Sequence, residues 1–271
     1  SCCSESAEDG QRTTADIRFF GAGHNEVIGM PSLPSRLYLI RHGETAWSLS
    51  GQHTGRTDIP LTAQGEQEAR ALGKELRAVT FSWVFTSPRQ RARRTCALVG
   101  LDAVASIEPD LMEWDYGDYE GQRSVDIRAQ RPDWNLFRDG CPHGESPTDV
   151  SDRADRLIAQ FRSLQGNMAV FSHGHFGRVL AARWIGLPVR QAQHFLLSTA
   201  SVSILGDEQN STEESAIVLW NAVPRNTADS GPNLHARDNQ MATNTKAIER
   251  WENEGGETRA GVEREPTMNA S

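Results

Sequence analysis

No stretch of this 271-residue sequence approaches ~18 consecutive apolar residues, so none reads as a membrane-spanning helix. Cysteine is scarce as well. The four present, Cys2, Cys3, Cys96 and Cys141, show no metal-ligand spacing, and Cys96 falls on a helix face as a small apolar residue would. Positive charge is in deficit: 28 Lys and Arg against 36 Asp and Glu leave a net charge of -8, which argues against nucleic acid as a partner. The first residues lack a basic region followed by an apolar one, so no secretory leader is read there. A reducing, cytoplasmic setting is the expectation, with no metal and no membrane contact. Residues 1–30 contain Ser, Glu, Asp and Gly and a short Arg18-Phe19-Phe20 patch, and Met30 stands just before the first apolar run. Met30 is therefore the expected native start.

What is present is concentrated in the middle. Apolar residues make up only 37% of the whole because both ends dilute them. The expected organisation is one domain over 36–223, preceded by a poorly ordered extension, 1–35, and followed by a disordered tail, 224–271.

Punctuation supplies the architecture. The apolar runs Leu37 to Ile40, Phe81 to Thr86 and Met168 to Phe171 read as buried parallel strands. Between them lie amphipathic helices. Thr62 caps one with Ala69, Leu72, Leu76 and Val79 inward; Ser87-Pro88 caps a second, running to Val99 and buried through Ala92, Cys96 and Val99, with Arg89 and Arg91 in its first turn. A third follows Ser146-Pro147 with Val150, Ala154, Leu157, Ile158, Phe161 and Leu164 on one face, and Phe176 to Ile185 reads as a fourth. Residues 201–205 and 216–220 close the domain as a strand pair around a polar turn. The fold class is α/β, three layers (α/β/α) around a mainly parallel sheet.

Two of these strands end alike. Leu37-Tyr38-Leu39-Ile40 delivers Arg41-His42-Gly43-Glu44-Thr45, and Met168 to Phe171 delivers Ser172-His173-Gly174-His175. Parallel strands present their C-terminal ends to one crevice, where open α/β sheets bind ligands. An imidazole with a reference pKa near ~6.5 is partly unprotonated at neutral pH and can attack phosphorus without a separate base. Arginine beside it offers planar paired donors that match phosphate oxygens.

Together with Thr86-Ser87-Pro88-Arg89-Gln90-Arg91 and Leu111-Met112-Glu113-Trp114-Asp115-Tyr116-Gly117, these segments resemble the four ordered signatures of the histidine phosphatase superfamily, the phosphoglycerate-mutase-like branch. The resemblance covers roughly 36–223. It implies that His42 is a nucleophile passing through phosphohistidine, that Arg41, Arg91 and His173 complete a phosphate pocket, and that Glu113 protonates the leaving oxygen. It also implies that Gly43, Ser48, Thr54, Gly55, Tyr116, Gly174 and His175 contact substrate. On the residues alone, Arg89, Arg93 and Arg94 compete with Arg91, and Asp115, Asp118 and Glu120 compete with Glu113. His24, His143, His194 and His235 have no motif around them, while His53 sits in the segment that resembles the substrate loop.

Finer features separate subfamilies. Mutases of this family carry asparagine where Ser48 stands, and glycine-asparagine where Gly174-His175 stands. The interval from Glu120 to Glu145 is short, which leads us to expect an open site that favours hydrolysis, and the acid segment looks most like sedoheptulose-bisphosphatase-like and broad acid-phosphatase members. The resemblance therefore implies a cofactor-independent phosphatase for small phosphorylated metabolites such as sugar phosphates. A 2,3-bisphosphoglycerate-dependent phosphoglycerate mutase is the alternative, and a phosphate-binding protein without turnover the remote one. Homo-oligomerisation is left open.

Overall fold

The computed structural model describes residues 35–207 and 215–224. The expected extension and tail, the proposed start at Met30 and the polar turn after Asp207 fall almost wholly outside those residues. Strand β1 (Leu37–Arg41) and strand β4 (Met168–Ser172) are buried along their whole length and lie side by side in parallel. Their side chains alternate between two cores, as the pleat requires. Leu37, Leu39, Met168 and Val170 face one cluster, and Tyr38, Ile40, Ala169 and Phe171 face the other. Because both faces are covered, the strands read as continuous apolar runs rather than as alternating ones.

The six-stranded sheet runs β3-β2-β4-β1-β5-β6 among the described residues, with β2 at Trp83–Thr86, β3 at Ser106–Ile107, β5 at Val202–Asp207 and β6 at Ser215–Ala222. The β3-β2, β2-β4 and β4-β1 pairings are parallel, whereas β5 joins β1 antiparallel and forms a hairpin with β6. The mainly parallel sheet expected from the apolar runs is thus present.

Two helical layers complete it. One cluster is covered by α2 (Ala63–Leu76) and α3 (Gln90–Val99) through Leu72, Leu76 and Cys96, the other by α6 (Pro147–Arg162) and α7 (Gly174–Trp184) through Leu157, Phe161, Phe176 and Leu180. Shorter helices are α1 (Ala46–Ser50), α4 (Ser124–Gln130) and α5 (Leu136–Asp139). Thr62 and Ser146 cap α2 and α6 as read from sequence, each hydroxyl accepting from the backbone N–H three residues on.

The second helix starts later than Ser87-Pro88 suggested. Its N-cap is Arg89, and the N–H of Gln90 donates to Asp58 Oδ1 at 2.8 Å. A carboxylate from a distant loop therefore takes the capping role at Gln90, while the Ser87 hydroxyl accepts from Arg89 N–H at 3.4 Å and also faces the site. None of the helices among the described residues is long and apolar enough to cross a membrane.

Candidate active site

The β1-β4 register sets Arg41 opposite Ser172, so His42 and His173 leave the sheet as neighbours, their ring centroids 5.3 Å apart. The backbone holds His42 from both sides. Its N–H donates to the Ser172 carbonyl at 3.1 Å and its carbonyl accepts from Ala200 N–H at 3.0 Å. Behind it, Gly43 meets Gly65 at the start of α2, where a Cβ on Gly43 would lie 2.3 Å from the Gly65 carbonyl oxygen.

The protonation of the two rings follows from their partners. His42 Nδ1 lies 2.7 Å from the Gly43 carbonyl, which can only accept, so Nδ1 carries the proton. Burial, then the charges of Arg91 and Arg41, hold the His42 pKa well below its ordinary value, while the Gly43 bond opposes them. The ring is neutral at pH 7. Its Nε2 keeps a lone pair. His173 is the mirror case: its Nδ1 accepts from Arg91 Nε at 3.2 Å, so Nε2 bears the hydrogen and donates to Ser87 Oγ at 2.7 Å. Burial, Arg91 and His42 lower its pKa well below the usual range.

Of the four arginines in the α3 segment, only Arg91 is fully buried. Arg94 pairs with Glu66 at 2.7 Å and Arg93 is exposed. Beyond His173, the Arg91 guanidinium donates to the Thr57 carbonyl at 3.0 Å and to the Thr54 carbonyl at 2.8 Å. It ties the loop at 54–57 to the second histidine from behind the pocket wall. Arg41 lies on the pocket itself, with Nη1 donating to the Leu197 carbonyl. Gly174 leaves room for it, since a Cβ there would stand 3.1 Å from Arg41 Cζ.

Glu113 sits at the other wall. Its Oε1 accepts from Trp114 N–H at 2.9 Å and Phe176 N–H at 2.7 Å, and its Oε2 from His175 N–H at 3.0 Å. The carboxyl thereby serves the open N-terminus of α7, whose N-cap His173 makes no side-chain cap bond. Burial raises the Glu113 pKa against the pull of those three N–H groups and of Arg91. Its rivals are engaged elsewhere: Asp115 pairs with Arg56, Asp118 faces His143 at 2.9 Å, and Glu120 accepts from Gly55 and Thr57 N–H.

Arg41, His42, Ser48, Thr54, Glu113, Tyr116, Gly174 and His175 share one pocket, together with Gly51, Gln52 and His53. Gly51, Gln52 and His53 complete the wall although the sequence did not single them out as contacts; a loop has no periodicity from which facing can be read. His53 stacks on Tyr116 at 4.5 Å, and the Tyr116 hydroxyl lies 2.6 Å from His175 Nδ1. Gly43 and Gly55 do not line the pocket. Their Cα positions are pressed against backbone, Gly55 with a Cβ position 2.5 Å from the Trp114 carbonyl oxygen.

The cavity is small, about 30 Å³, where about 10–15 Å³ suffices for one water. The short 120–145 interval, expected to leave the site open, leaves a pocket narrow in volume. That interval folds into α4 and α5, and its leading residues close on the substrate loop through His53 N–H to the Gln122 carbonyl and Gly121 N–H to the His53 carbonyl, both at 2.9 Å. A larger hollow of about 620 Å³ lies along the outer side of α3, lined by Arg93 and Arg94 but by neither histidine nor by Glu113.

Residues 37–222 match the histidine phosphatase superfamily (branch 1). An acid phosphatase of Mycobacterium tuberculosis is 43% identical over 177 residues, covering 64% of this chain and 87% of that protein. A sedoheptulose 1,7-bisphosphatase of Saccharomyces cerevisiae is 38% identical over 196 residues, covering 60% of this chain and 72% of that one. A solved structure of an open-reading-frame product of Mycobacterium tuberculosis superposes with a TM-score of 0.66 at 38% identity, covering 70% of this chain and 99% of its own. The chain belongs to the histidine phosphatase superfamily, branch 1, among that family's phosphatases.

Proposed function

We propose that this phosphatase hydrolyses small phosphorylated metabolites, sugar phosphates foremost, through a phosphohistidine on His42. The observation that carries the reading is the pairing of a neutral His42, its Nδ1–H fixed on the Gly43 carbonyl, with a buried Glu113 of raised pKa on one pocket. In the first step the His42 Nε2 lone pair forms a bond to phosphorus as the bond to the leaving alcohol oxygen breaks. Glu113 donates its proton to that oxygen, and Arg41 stabilises charge on the phosphoryl oxygens. Water then attacks phosphorus, gives a proton to the Glu113 carboxylate, and releases inorganic phosphate with His42 restored. Gly174, with its N–H at the start of α7, fits the same anion.

A cavity of about 30 Å³ suits a phosphoryl group better than a whole sugar phosphate, so the organic part would extend past Gln52, His53, Tyr116 and His175. The sugar-phosphate class rests on the named relatives. Phosphate release across a panel of sugar phosphates, including sedoheptulose bisphosphate, beside a phosphoglycerate mutase assay tests it. Release dominated by sugar phosphates supports the reading; mutase turnover without release would replace it with the mutase. His42→Ala should abolish turnover, and brief incubation of the wild type with substrate should leave an acid-labile, base-stable phosphate on His42. A variant working at full rate would overturn the mechanism.

A further inference from the structure

Helix α6 carries an arginine inside its apolar stripe. Val150, Arg153, Ala154 and Leu157 share the buried face, and Arg153 is only 7% exposed. A charge in that position is costly unless every donor is satisfied. The partners of Arg153 all belong to the surroundings of Glu113. Its Nη1 donates to the carbonyls of Asp110 and Met112, each at 2.7 Å. Its Nε and Nη2 form a two-pronged ion pair with Glu145, at 2.9 and 2.8 Å. Its guanidinium lies 4.2 Å from the centre of the Phe176 ring, and Phe176 is the residue whose N–H donates to Glu113 Oε1.

Glu145 holds the other side of the acid. Its Oε2 accepts from Asp115 N–H, its carbonyl accepts from the Trp114 indole N–H, and its own N–H donates to the Asp115 carbonyl, all at 2.9 Å. The main chain is therefore gripped immediately before Glu113 by Arg153 and immediately after it by Glu145, and the ion pair joins the two grips. None of these groups lines the pocket.

We propose that Arg153, through its pair with Glu145, is a positioning residue that fixes the Glu113 carboxyl for proton donation to the leaving group. The inference rests on Glu113 being the acid. Proton transfer depends on placing the donor within hydrogen-bond reach of the departing oxygen, so a slackened 110–115 segment should harm the substrates that need a proton most. Alkyl phosphates need it; aryl phosphates with acidic leaving groups need it little.

The test measures kcat and KM for an alkyl phosphate, glycerol phosphate, and an aryl phosphate, p-nitrophenyl phosphate, in Arg153→Ala, Arg153→Lys, Glu145→Gln and Glu113→Gln. The ratio kcat/KM reports the step that expels the alcohol rather than the shared hydrolysis of phosphohistidine. Arg153→Ala should lower kcat/KM on glycerol phosphate about 10- to 100-fold, short of the ~10²- to 10⁴-fold expected for losing the acid itself, with kcat/KM on p-nitrophenyl phosphate within a few-fold of wild type. Arg153→Lys and Glu145→Gln should show the same selectivity more weakly. Adding Arg153→Ala to Glu113→Gln should cost little more on glycerol phosphate, because both changes act through one proton.

Equal losses on both substrates in the Arg153 variants, beside a selective loss in Glu113→Gln, would overturn the positioning role while leaving the acid in place. Equal losses of kcat/KM on the two substrates in Glu113→Gln would overturn the acid assignment itself. If Arg153→Ala does not fold, the lysine and Glu145→Gln variants decide by the same ratio.

Discussion

A histidine in a phosphate pocket is useful as a nucleophile only while it is neutral and its proton sits on the other nitrogen. Both conditions are built from neighbours here, the Gly43 carbonyl for the tautomer and burial beside Arg91 and Arg41 for the charge. The sign of the pH dependence follows. Nucleophile is lost as pH falls through the depressed His42 pKa, so that limb lies well below the ordinary histidine value near ~6.5. Acid is lost as pH rises through the raised Glu113 pKa. In a profile of kcat/KM on glycerol phosphate, Glu113→Gln should therefore remove the descending limb that belongs to the enzyme and leave the ascending one. The second ionisation of the substrate, near ~6, is common to both proteins and cancels in the comparison. A descending limb unchanged in Glu113→Gln would assign it to another group.

At the scale of elements, the site depends on a contact between the end of β1 and the start of α2. Gly43 and Gly65 pack back to back, and a Cβ on Gly65 would lie 2.2 Å from the Glu44 carbonyl oxygen and 2.6 Å from its nitrogen. Gly65→Ala is expected to cost about 1–3 kcal/mol through overpacking and to lower the melting temperature by roughly 2–4 °C for each of those kcal/mol. It should also depress kcat, because the strain falls on the backbone just behind His42. Gly100→Ala is the control. Its φ of +91° with open space around it should cost stability alone. A Gly65→Ala enzyme that melts and turns over like wild type would remove this contact from the account.

Much of this layer was legible in the residues. Two apolar runs each ending in a histidine and a glycine implied adjacent strands, and Thr62 and Ser146 announced their helices by local capping. The start of α3 was misread because its first N–H bonds to Asp58, a partner with no sequence signature. Strand β3 has two exposed residues, too few for any pattern. The helices α4 and α5 lie in a polar and aromatic interval without period, so they were not legible. Arg41, His42 and Glu113 announced themselves by motif, whereas the facing of Gln52 and His53 depends on how a loop is tied to residues 121 and 122.

For the molecule as a whole, two buried neutral histidines make stability depend on pH. The folded pKa values of His42 and His173 lie below the unfolded value, so the unfolded chain binds protons more readily below ~6.5. Their contribution is complete above that pH and is lost as pH falls toward the folded values, at up to about 1.4 kcal/mol per pH unit for each ring. Glu113 works with the opposite sign, losing stability as pH rises above its unfolded value. Urea midpoints should fall between pH 7 and pH 5.5, and the fall should be shallower in His173→Gln. An equal slope in that variant would remove His173 from the balance.

The adjacency of β1 and β4 also bears on time. These strands are separated by more than half of the described chain, yet their register is what brings His42 beside His173. Parallel pairing across so long a loop is intrinsically slow to form, since the closure entropy is lost before the contact is gained. The helices between them need only neighbours close in sequence. During refolding, helical signal should therefore return ahead of turnover, and the recovery of phosphatase activity would serve as a clock for the last long-range closure of the sheet.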